Sequence, residues 1–425
     1  MATASTTGLW QDRNFLRFWV GQAFSQLGAQ VTKLAIPVLA VVMLQATETQ
    51  VGYLNASGLA AFLLVGLPAG AWIDRMRKRR VMIIADGVRA LALATIPLLH
   101  FSGLLQLWHL YLVALIQGTA TVFFDVSYQS VVPALVAGER IAEANGRLES
   151  TQQIAGLTGP AVAGWLVGLV TAPLAMVATS GTYLVSMTAL LLTRDHEELR
   201  PRRDRPPLRR EIAEGLRWVF GNPLLRRIVA TSGIANLSTT LIFTLMPIFV
   251  LRTLGFSPAR LGLLLTVMAI GGLLGAMATP QLAKRFGESR LIPLAASGSA
   301  LAMVLVPLAL LLPPDPAFWL LAGQGMIANF HALVYNITQV TFRQRHTPAH
   351  LLGRMNASVR FFVWGVMPIA ALLAGWVGSA VGIVATLWIG VVGCLVSALP
   401  VVLGPFWQLR DLPNAASADA ADSAR

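Results

Sequence analysis

Residues 51–101 read VGYLNASGLAAFLLVGLPAGAWIDRMRKRRVMIIADGVRALALATIPLLHF, and the fold class can be read from them. Apolar segments at 51–73 and 81–101 flank a loop, 74–80, in which five of seven residues are Lys or Arg. A helix that crosses a bilayer needs roughly 20 apolar residues, and loops rich in Lys and Arg stay in the cytoplasm. The stretch therefore predicts two membrane-spanning helices that are joined on the cytoplasmic side.

The composition of the whole chain agrees with this interpretation. Of 425 residues, 56% are hydrophobic and 12% are charged, and the mean hydropathy is +0.67. Soluble domains carry about 25% charged residues and disordered chains are poor in apolar ones, so an ordinary cytosolic enzyme and a disordered protein are both excluded. The net charge of +13 is carried by short basic runs between apolar segments. We therefore expect it to orient the chain in a bilayer, with no nucleic-acid partner.

Twelve apolar segments are long enough to span a membrane, and they predict an all-α polytopic protein. In chain order, spans 1 to 12 are 15–44, 51–73, 81–101, 107–124, 148–170, 173–192, 228–251, 261–283, 291–312, 317–340, 357–377 and 382–403. The long connection predicts an N-terminal six-helix half, 1–192, a cytoplasmic linker, 193–227, a C-terminal half, 228–404, and a cytoplasmic tail, 405–425. Basic residues gather after the even-numbered spans, so both termini are expected on the cytoplasmic side of the cell (inner) membrane.

The two predicted halves resemble each other in sequence. Residues 14–17 recur at 222–226, Pro37 recurs as Pro247, and Gly164 recurs as Gly375, at an offset close to half the chain length. Parallel repeats of this kind imply a pseudo-two-fold axis along the membrane normal and a substrate site between the halves near the midplane. One cysteine forms neither an intrachain disulfide nor a cysteine cluster, and we expect no metal and no cofactor.

Polar residues concentrate in spans 1, 4, 7 and 10. Such residues usually face the bundle interior or a cavity. The candidates for a substrate cavity are Gln22, Gln26, Gln30 and Lys33 in span 1, Asn236 and Thr240 in span 7, and His331, Tyr335, Asn336 and Gln339 in span 10. Lys33 would attract an anionic group or change its protonation during transport; alternatively it only donates hydrogen bonds within span 1. His331 either titrates near neutral pH or packs as a hydrogen-bonding residue.

No Asp or Glu is predicted near the middle of a span. Asp86, Asp125 and Glu149 lie towards the cytoplasmic ends of their spans. Proton-driven transport usually needs a carboxylate or histidine that changes charge in the pathway, so the sequence by itself assigns no coupling residue.

The loop after span 2 resembles the signature loop between helices 2 and 3 of the major facilitator superfamily. A glycine is followed, after three residues, by Asp-Arg and then by further basic residues. In that family the aspartate contacts the start of helix 11, and the later basic residue meets an acid on helix 4. The resemblance implies a cytoplasmic gate made of Gly70, Asp74, Arg75, Lys78 and Asp125; alternatively the charges only set the topology.

Span 5 contains a second motif, Gly159, Pro160 and Gly164, which resembles the glycine-proline motif in helix 5 of superfamily antiporters, many of them drug exporters. Ala155 and Ala163 replace glycines of that motif. Small residues allow close helix packing and proline bends the helix, so the alternative is tight packing without any meaning for direction.

Further stretches resemble the enterobactin-exporter and macrolide-efflux-like branch of the same superfamily. They are residues 14–22, Asp86 with Arg89, and residues 124–133, 214–218 and 352–360. The resemblance implies a secondary transporter that exports a small amphipathic molecule (a drug, a macrolide or a siderophore-like compound) by alternating access, with the proton as coupling ion. We expect a monomer, a small-molecule substrate and the lipid bilayer as partners.

The sequence is weighed against four alternatives to that expectation. An importer or a lysophospholipid transporter would share the fold. A receptor or scaffold without transport would need a large extramembranous domain or loop, which the sequence lacks. An intramembrane enzyme would need paired acids, a metal-ligand cluster or a nucleophile with its base, and none occurs at a suitable spacing.

Overall fold

The computed structural model describes residues 9–65, 72–73, 76–136, 140–194, 208–348 and 351–409, and this part of the chain is helical. We number its α-helices in chain order. The helices of the N-terminal part are α1 (Arg13–Val38), α2 (Glu48–Leu64), α3 (Lys78–Phe101), α4 (Leu107–Leu135), α5 (Ile141–Val170) and α6 (Ala172–Leu192), followed by α7 (Leu208–Gly221). The helices of the C-terminal part are α8 (Pro223–Ile248), α9 (Pro258–Phe286), α10 (Glu288–Ala302), α11 (Leu305–Leu308), α12 (Pro314–His346), α13 (Leu352–Val381) and α14 (Ile383–Val402).

Eleven helical segments of the described chain are long and apolar enough to cross a membrane. They match eleven of the twelve predicted spans. The segment for span 9 runs from α10 through α11 to Leu311. The predicted span 2 corresponds to α2, which has 17 residues and is followed by residues 66–71, outside the described part. The prediction of an all-α polytopic membrane protein is confirmed.

The chain divides into two compact units. The first unit consists of Met1–Arg202 and Phe256–Thr266, and the second consists of Arg203–Gly255 and Val267–Arg425. In the first unit, α1 packs on α5 and α6, α3 packs on α4 and α6, and α2 packs on α4. Fully buried aromatic side chains of α1 and α4, among them Phe15, Phe18 and Phe124, form its largest core with Met82 and Leu190.

The second unit repeats this packing order with its own helices. Here α8 packs on α13 and α14, and α10 packs on α12 and α14. Gly271 and Gly275 of α9 lie against the backbone of α12 at Met326 and Phe330, where a Cβ atom would collide with a carbonyl oxygen. These glycines allow the close helix approach that membrane helices obtain from small residues.

Both units fix the end of their last helix in a similar way. The carbonyl oxygens of Leu190 and Leu192 in α6 accept hydrogen bonds from Arg79 (2.8 Å) and Arg17 (3.0 Å). In the second unit, Arg227 donates to the Pro400 carbonyl of α14 at 2.8 Å. The last carbonyls of a helix have no partner inside it and carry partial negative charge, so a cation is a suitable cap.

Helices α1 and α8 also end in the same way. A proline, Pro37 in α1 and Pro247 in α8, is followed by a five-residue π-helical turn, Leu39–Met43 and Phe249–Thr253 respectively. Turns of this type arise where the i→i−4 hydrogen-bond ladder is interrupted.

The helix in the connecting segment, α7, packs on α13 of its own unit. Glu214 forms an ion pair with Arg354, and Gly215 lies so close to α13 that a Cβ would be 2.5 Å from the Arg354 carbonyl oxygen. Val219 is buried with Met355 and neighbouring α13 side chains. The apolar face of this amphipathic helix is therefore covered by protein.

Candidate functional site

The polar stripe predicted for span 1 lies on α1 and meets different neighbours along its length. Gln22 is buried, at 3% exposure, and its Nε2 atom has no hydrogen-bond partner among the described residues. Gln26 is half-buried. Gln30 lies over Gly159 of α5, where an added Cβ would be 2.5 Å from Gln30 Cγ. Lys33, one turn further along, is exposed.

The polar residues predicted for span 7 mostly bind neighbouring helices. Asn236 of α8 donates from its side-chain amide to the Val363 carbonyl of α13 at 2.9 Å. Thr240 is buried, with 5% exposure. The hydrogen bond of Asn236 joins α8 to α13 and uses one of the two N–H groups of an amide that was predicted to line the cavity.

In α12, the predicted residues divide into bonded and accessible groups. The Tyr335 hydroxyl lies 2.9 Å from Ser232 Oγ and 3.2 Å from the Ile228 carbonyl oxygen, which connects α12 to α8. Gln339 donates to Asn336 Oδ1 at 2.9 Å, and its Oε1 atom has no partner in the described chain. Asn336 itself is exposed.

His331 packs tightly within the second unit. Its Nδ1 lies 2.8 Å from the Ile327 carbonyl oxygen one turn earlier. The ring lies over Gly298 of α10, where an added Cβ would overlap the ring atoms. This arrangement is the one expected for a packed hydrogen-bonding histidine.

A buried ion pair occupies the centre of the first unit. Arg89 of α3 donates to Asp86 Oδ1 at 2.6 Å, and the two side chains are 3% and 0% exposed. The Arg89 guanidinium carbon lies 4.1 Å from the centroid of the Phe124 ring and 4.6 Å from that of Tyr183, so α4 and α6 enclose it from two sides. Gln117 donates to the Arg89 carbonyl at 2.9 Å.

The sequence analysis used Asp86 and Arg89 only to support a family resemblance. One signal was present, since an acid and a base three residues apart lie on one face of a helix. What the sequence did not show is that both side chains are fully buried, or that two aromatic rings enclose the arginine.

Asp125 of α4 is next to Phe124 in the chain and half-buried. The two cations whose charges act on its carboxylate are Arg89 and Lys33. The larger effect is that of Arg89, and the smaller is that of Lys33, which the sequence analysis proposed for the cavity, whereas Asp125 was proposed for the gate. Lys33 and Asp125, together with Asp86 and Arg89, form a group of two acids and two bases, which we call the charge cluster.

The rest of the predicted gate falls largely outside the described chain. Gly70, Asp74 and Arg75 lie in residues that the structure does not describe. Lys78 is the first residue of α3 and is half-buried.

The glycines of span 5 mark two close approaches in the first unit. Gly159 accommodates Gln30 of α1, as described above. A Cβ at Gly164 would lie 2.7 Å from the Pro258 carbonyl oxygen and 2.9 Å from Gly262 Cα of α9, and a Cβ at Gly262 would approach the Pro160 carbonyl more closely still. The backbones of α5 and α9 are therefore in direct contact at this crossing.

Charged groups, amides and aromatic rings of the described residues make the arrangement suited to recognition of a solute. Within the described ranges, no three His, Cys, Asp or Glu side chains are grouped so as to hold a metal ion. Charged groups, amides and aromatic rings at membrane depth typically mark a pathway for substrates or ions.

Comparison with known proteins identifies transporters. The family model of the Major Facilitator Superfamily matches residues 18–371. The multidrug efflux pump Tap of Mycolicibacterium fortuitum is 26% identical and aligns over 84% of this chain and 88% of its own. Macrolide efflux protein A of Streptococcus pyogenes is 24% identical over 94% of this chain and 97% of its own. The enterobactin exporter EntS of Salmonella typhi is 26% identical over 90% and 91%, respectively.

A solved structure shows the same fold. The crystal structure of a bacterial homologue of the iron transporter ferroportin superimposes with a TM-score of 0.72, over 92% of this chain and 98% of that protein, at 14% identity.

Proposed function

Because the chain belongs to the Major Facilitator Superfamily, we propose that it is a secondary active transporter that exports a small amphipathic molecule of the drug, macrolide or siderophore type. Its family and its relatives are transporters, so the chain is a multi-pass membrane transporter and not an enzyme. One observation carries the proposal of export. Three relatives named as efflux or export proteins align over most of their length and of this chain.

For the architecture we propose twelve spans in two pseudo-symmetric six-helix halves, 1–192 and 228–404, joined by a cytoplasmic linker, 193–227, with a cytoplasmic tail at 405–425. The matching helix packing of the two units, the arginine caps on α6 and α14, and the proline-linked π turns of α1 and α8 support a repeat. The proposed location is the cell (inner) membrane with both termini in the cytoplasm, and the proposed state is a monomer.

For the mechanism we propose alternating access coupled to protons. The proposed cavity residues are those of spans 1, 7 and 10, and the proposed cytoplasmic gate is Gly70, Asp74, Arg75, Lys78 and Asp125. The exposed ammonium of Lys33 and the unsatisfied amide atoms of Gln22 and Gln339 support a polar cavity. No nucleotide-binding loop of the GxxxxGK[ST] type occurs in the sequence, which agrees with an ion gradient as the energy source.

Accumulation of a fluorescent dye and of a labelled macrolide in efflux-deficient cells tests the proposal. Cells that express the protein should accumulate less of at least one probe, and an uncoupler should abolish the difference. Equal accumulation with and without the protein, at confirmed expression in the membrane, would contradict export of drug-like molecules. Greater accumulation would indicate an importer.

One variant examines the gate in the same cells. Asp74→Asn should reduce export while the protein is still inserted in the membrane. The matched control is Asp315→Asn, which changes an exposed acid in the first turn of α12. Full export by Asp74→Asn would remove the gate from the mechanism.

A further inference from the structure

We propose that the second unit contains a binding site for an α-hydroxy acid group of the cargo, formed by Arg343 and Gln339 of α12 and Arg360 of α13. This inference rests on the proposed function, because it names a chemical group that the exported molecule carries. The three residues belong to one compact unit. The site does not involve Lys33, the cation that the sequence analysis places in the cavity.

The first observation is the distribution of acids in the second unit. Among the side chains that the structure describes there, only three are acidic. Glu214 and Glu288 each form an ion pair with an arginine other than Arg343 and Arg360. Asp315 lies in the first turn of α12, about 40 Å from Arg343 along the helix at 1.5 Å per residue. In the charge cluster of the first unit, by contrast, two acids accompany two bases.

The second observation is a pair of buried polar atoms without hydrogen-bond partners on neighbouring turns of α12. Arg343 Nε and Gln339 Oε1 have no partner in the described chain, and Gln339 is only 5% exposed. The amide nitrogen of Gln339 is already used, because it donates to Asn336 Oδ1 at 2.9 Å. Arg343 therefore lacks an acceptor and Gln339 lacks a donor, and each unmade hydrogen bond of a buried group costs free energy.

The third observation is that α12 and α13 approach the same face of α8. Ser232 and Asn236 lie one turn apart on α8 and therefore share a face. Ser232 Oγ lies 2.9 Å from the Tyr335 hydroxyl of α12, and Asn236 donates to the Val363 carbonyl of α13 at 2.9 Å. These two hydrogen bonds place α12 and α13 beside each other across this face.

The two arginines lie at similar depth in this arrangement. Helix α12 ends three residues after Arg343, α13 begins eight residues before Arg360, and residues 347–351 connect the two ends. At 1.5 Å per residue, the two Cα atoms differ in depth by about 8 Å. Side chains incline towards the N-terminus of their own helix. Because the two helices run in opposite directions, this inclination brings the guanidinium groups together, and the charge of Arg360 acts on Arg343.

The needs of these groups define the ligand. An anion between the two guanidinium groups would offset their repulsion and supply the acceptor that Arg343 Nε lacks. A carboxylate is suited because it accepts parallel hydrogen bonds from a guanidinium group. A hydroxyl on the adjacent carbon would donate to Gln339 Oε1, since side chains at i and i+4 are only about 5–6 Å apart. Arg360 is exposed and Gln339 is buried, so the site extends from the surface of the unit into its interior.

The test uses the purified full chain and three matched probes. Mandelate is an α-hydroxy acid, phenylacetate lacks the hydroxyl, and mandelamide lacks the charge. In equilibrium dialysis at neutral pH, mandelate should bind saturably and about two- to tenfold more tightly than phenylacetate, the usual gain from one hydrogen bond. Mandelamide should bind at least tenfold more weakly than mandelate. Absence of saturable mandelate binding, or equal binding of mandelate and mandelamide, would overturn the proposal.

Substitutions separate the contributions of the three residues. Arg343→Met should weaken mandelate binding at least tenfold, and Arg360→Met should weaken it severalfold. Gln339→Leu should abolish the preference for mandelate over phenylacetate and leave phenylacetate binding unchanged. If Gln339→Leu weakens both probes equally, its amide only positions Arg343, and the assignment of an α-hydroxy acid fails. The matched control is Lys284→Gln, which removes an exposed cation in the last turn of α9 and should bind mandelate as the wild type does.

Thermal unfolding in detergent distinguishes a binding arginine from a structural one. Because Arg343 has no acid partner among the described residues, Arg343→Met should unfold at the wild-type midpoint or above it. Saturating mandelate should raise the midpoint of the wild type, since a ligand of the folded state stabilises it, and should not raise that of Arg343→Met. A lower midpoint for Arg343→Met, together with no effect of mandelate on the wild type, would refute the site.

Export in cells tests the proposed function separately. Export of the dye or the macrolide by a protein that does not bind mandelate when purified would refute this site alone. Mandelate binding that follows the expected order of probes and variants, without export of either compound, would support the site and contradict the export of drug-like molecules.

Discussion

Replacing Gly164 by alanine should destabilise the protein because the α5–α9 crossing has no room for a methyl group. The new Cβ would lie 2.7 Å from the Pro258 carbonyl oxygen and 2.9 Å from Gly262 Cα, whereas ordinary contact begins near 3.4 Å, so the two approaches are short by about 0.7 and 0.5 Å. The obstructing atoms are backbone and cannot rotate away. Two helices must move apart to relieve the clash.

Overpacking of this kind raises the free energy of the folded state by about 1–3 kcal/mol. For a unit of roughly 200 residues, with ~2 °C of midpoint per kcal/mol, the expected fall is about 2–6 °C. The assay is the monodisperse fraction of detergent-solubilised protein that remains after heating, measured by size-exclusion chromatography. This readout reports on the whole chain, whichever unit unfolds first.

The matched control is Gly168→Ala, one turn further along α5. There a Cβ would lie 3.6 Å from Ala259 Cβ, an ordinary contact, so no loss is expected. Gly262→Ala meets the Pro160 carbonyl oxygen more closely than Gly164→Ala meets Pro258 and should be at least as destabilising. Equal midpoints for Gly164→Ala, Gly168→Ala and wild type would refute the reasoning that this crossing depends on backbone contact.

Three further predictions concern other contacts. Arg89→Met should destabilise the folded protein by about 3–5 kcal/mol, because it leaves Asp86 buried without its partner. The double variant Asp86→Asn, Arg89→Gln should recover most of this loss in the same heating assay. Thr171 has a φ of 78°, which strains a residue with a side chain. Thr171→Gly should therefore stabilise the folded protein by ~1–3 kcal/mol, measured as a higher midpoint in the same assay. Gly215→Ala should loosen the packing of α7 on α13. On heating, the single, buried cysteine Cys394 should then react faster with a thiol label. The control Gly221→Ala, where a Cβ has no neighbour within 4 Å, should leave the labelling rate unchanged.

Hydropathy placed the helices well because apolar length is a direct consequence of bilayer thickness. It placed the facing ends of α4 and α5 less well. The predicted span 4 ends at residue 124, but α4 continues to Leu135, and α5 begins at Ile141 where the prediction begins at 148. The first turns of α5 carry polar residues such as Glu143 and Arg147, which a hydropathy criterion for spans leaves out.

The candidate site was predictable as a set of residue types and not as a set of partners. A polar stripe on one helix shows that a face needs compensation, and it does not show whether a substrate or another helix provides it. In α12, the Tyr335 hydroxyl forms hydrogen bonds with Ser232 and with the Ile228 carbonyl of α8, whereas Asn336, the next residue in the chain, is exposed. The electrostatic effect of Arg89 and Lys33 on Asp125 involves residues far apart in sequence, and no spacing rule predicts it.

The two compact units offer an internal comparison that bears on the role of the buried ion pair. They share caps, proline-linked turns and packing order, yet among the described residues the fully buried carboxylate and guanidinium, Asp86 and Arg89, occur only in the first unit. In the second unit the fully buried polar side chains are hydroxyls, amides and His346.

The described part of the second unit forms the same packing order without a fully buried ion pair, so this packing does not require one. A buried pair is often no more stabilising than a neutral replacement. The double variant of Asp86→Asn and Arg89→Gln should therefore fold and insert like the wild type. If the buried pair serves transport, that folded variant should lose energised export. Export at the wild-type rate would show that the charges of Asp86 and Arg89 do not contribute to transport.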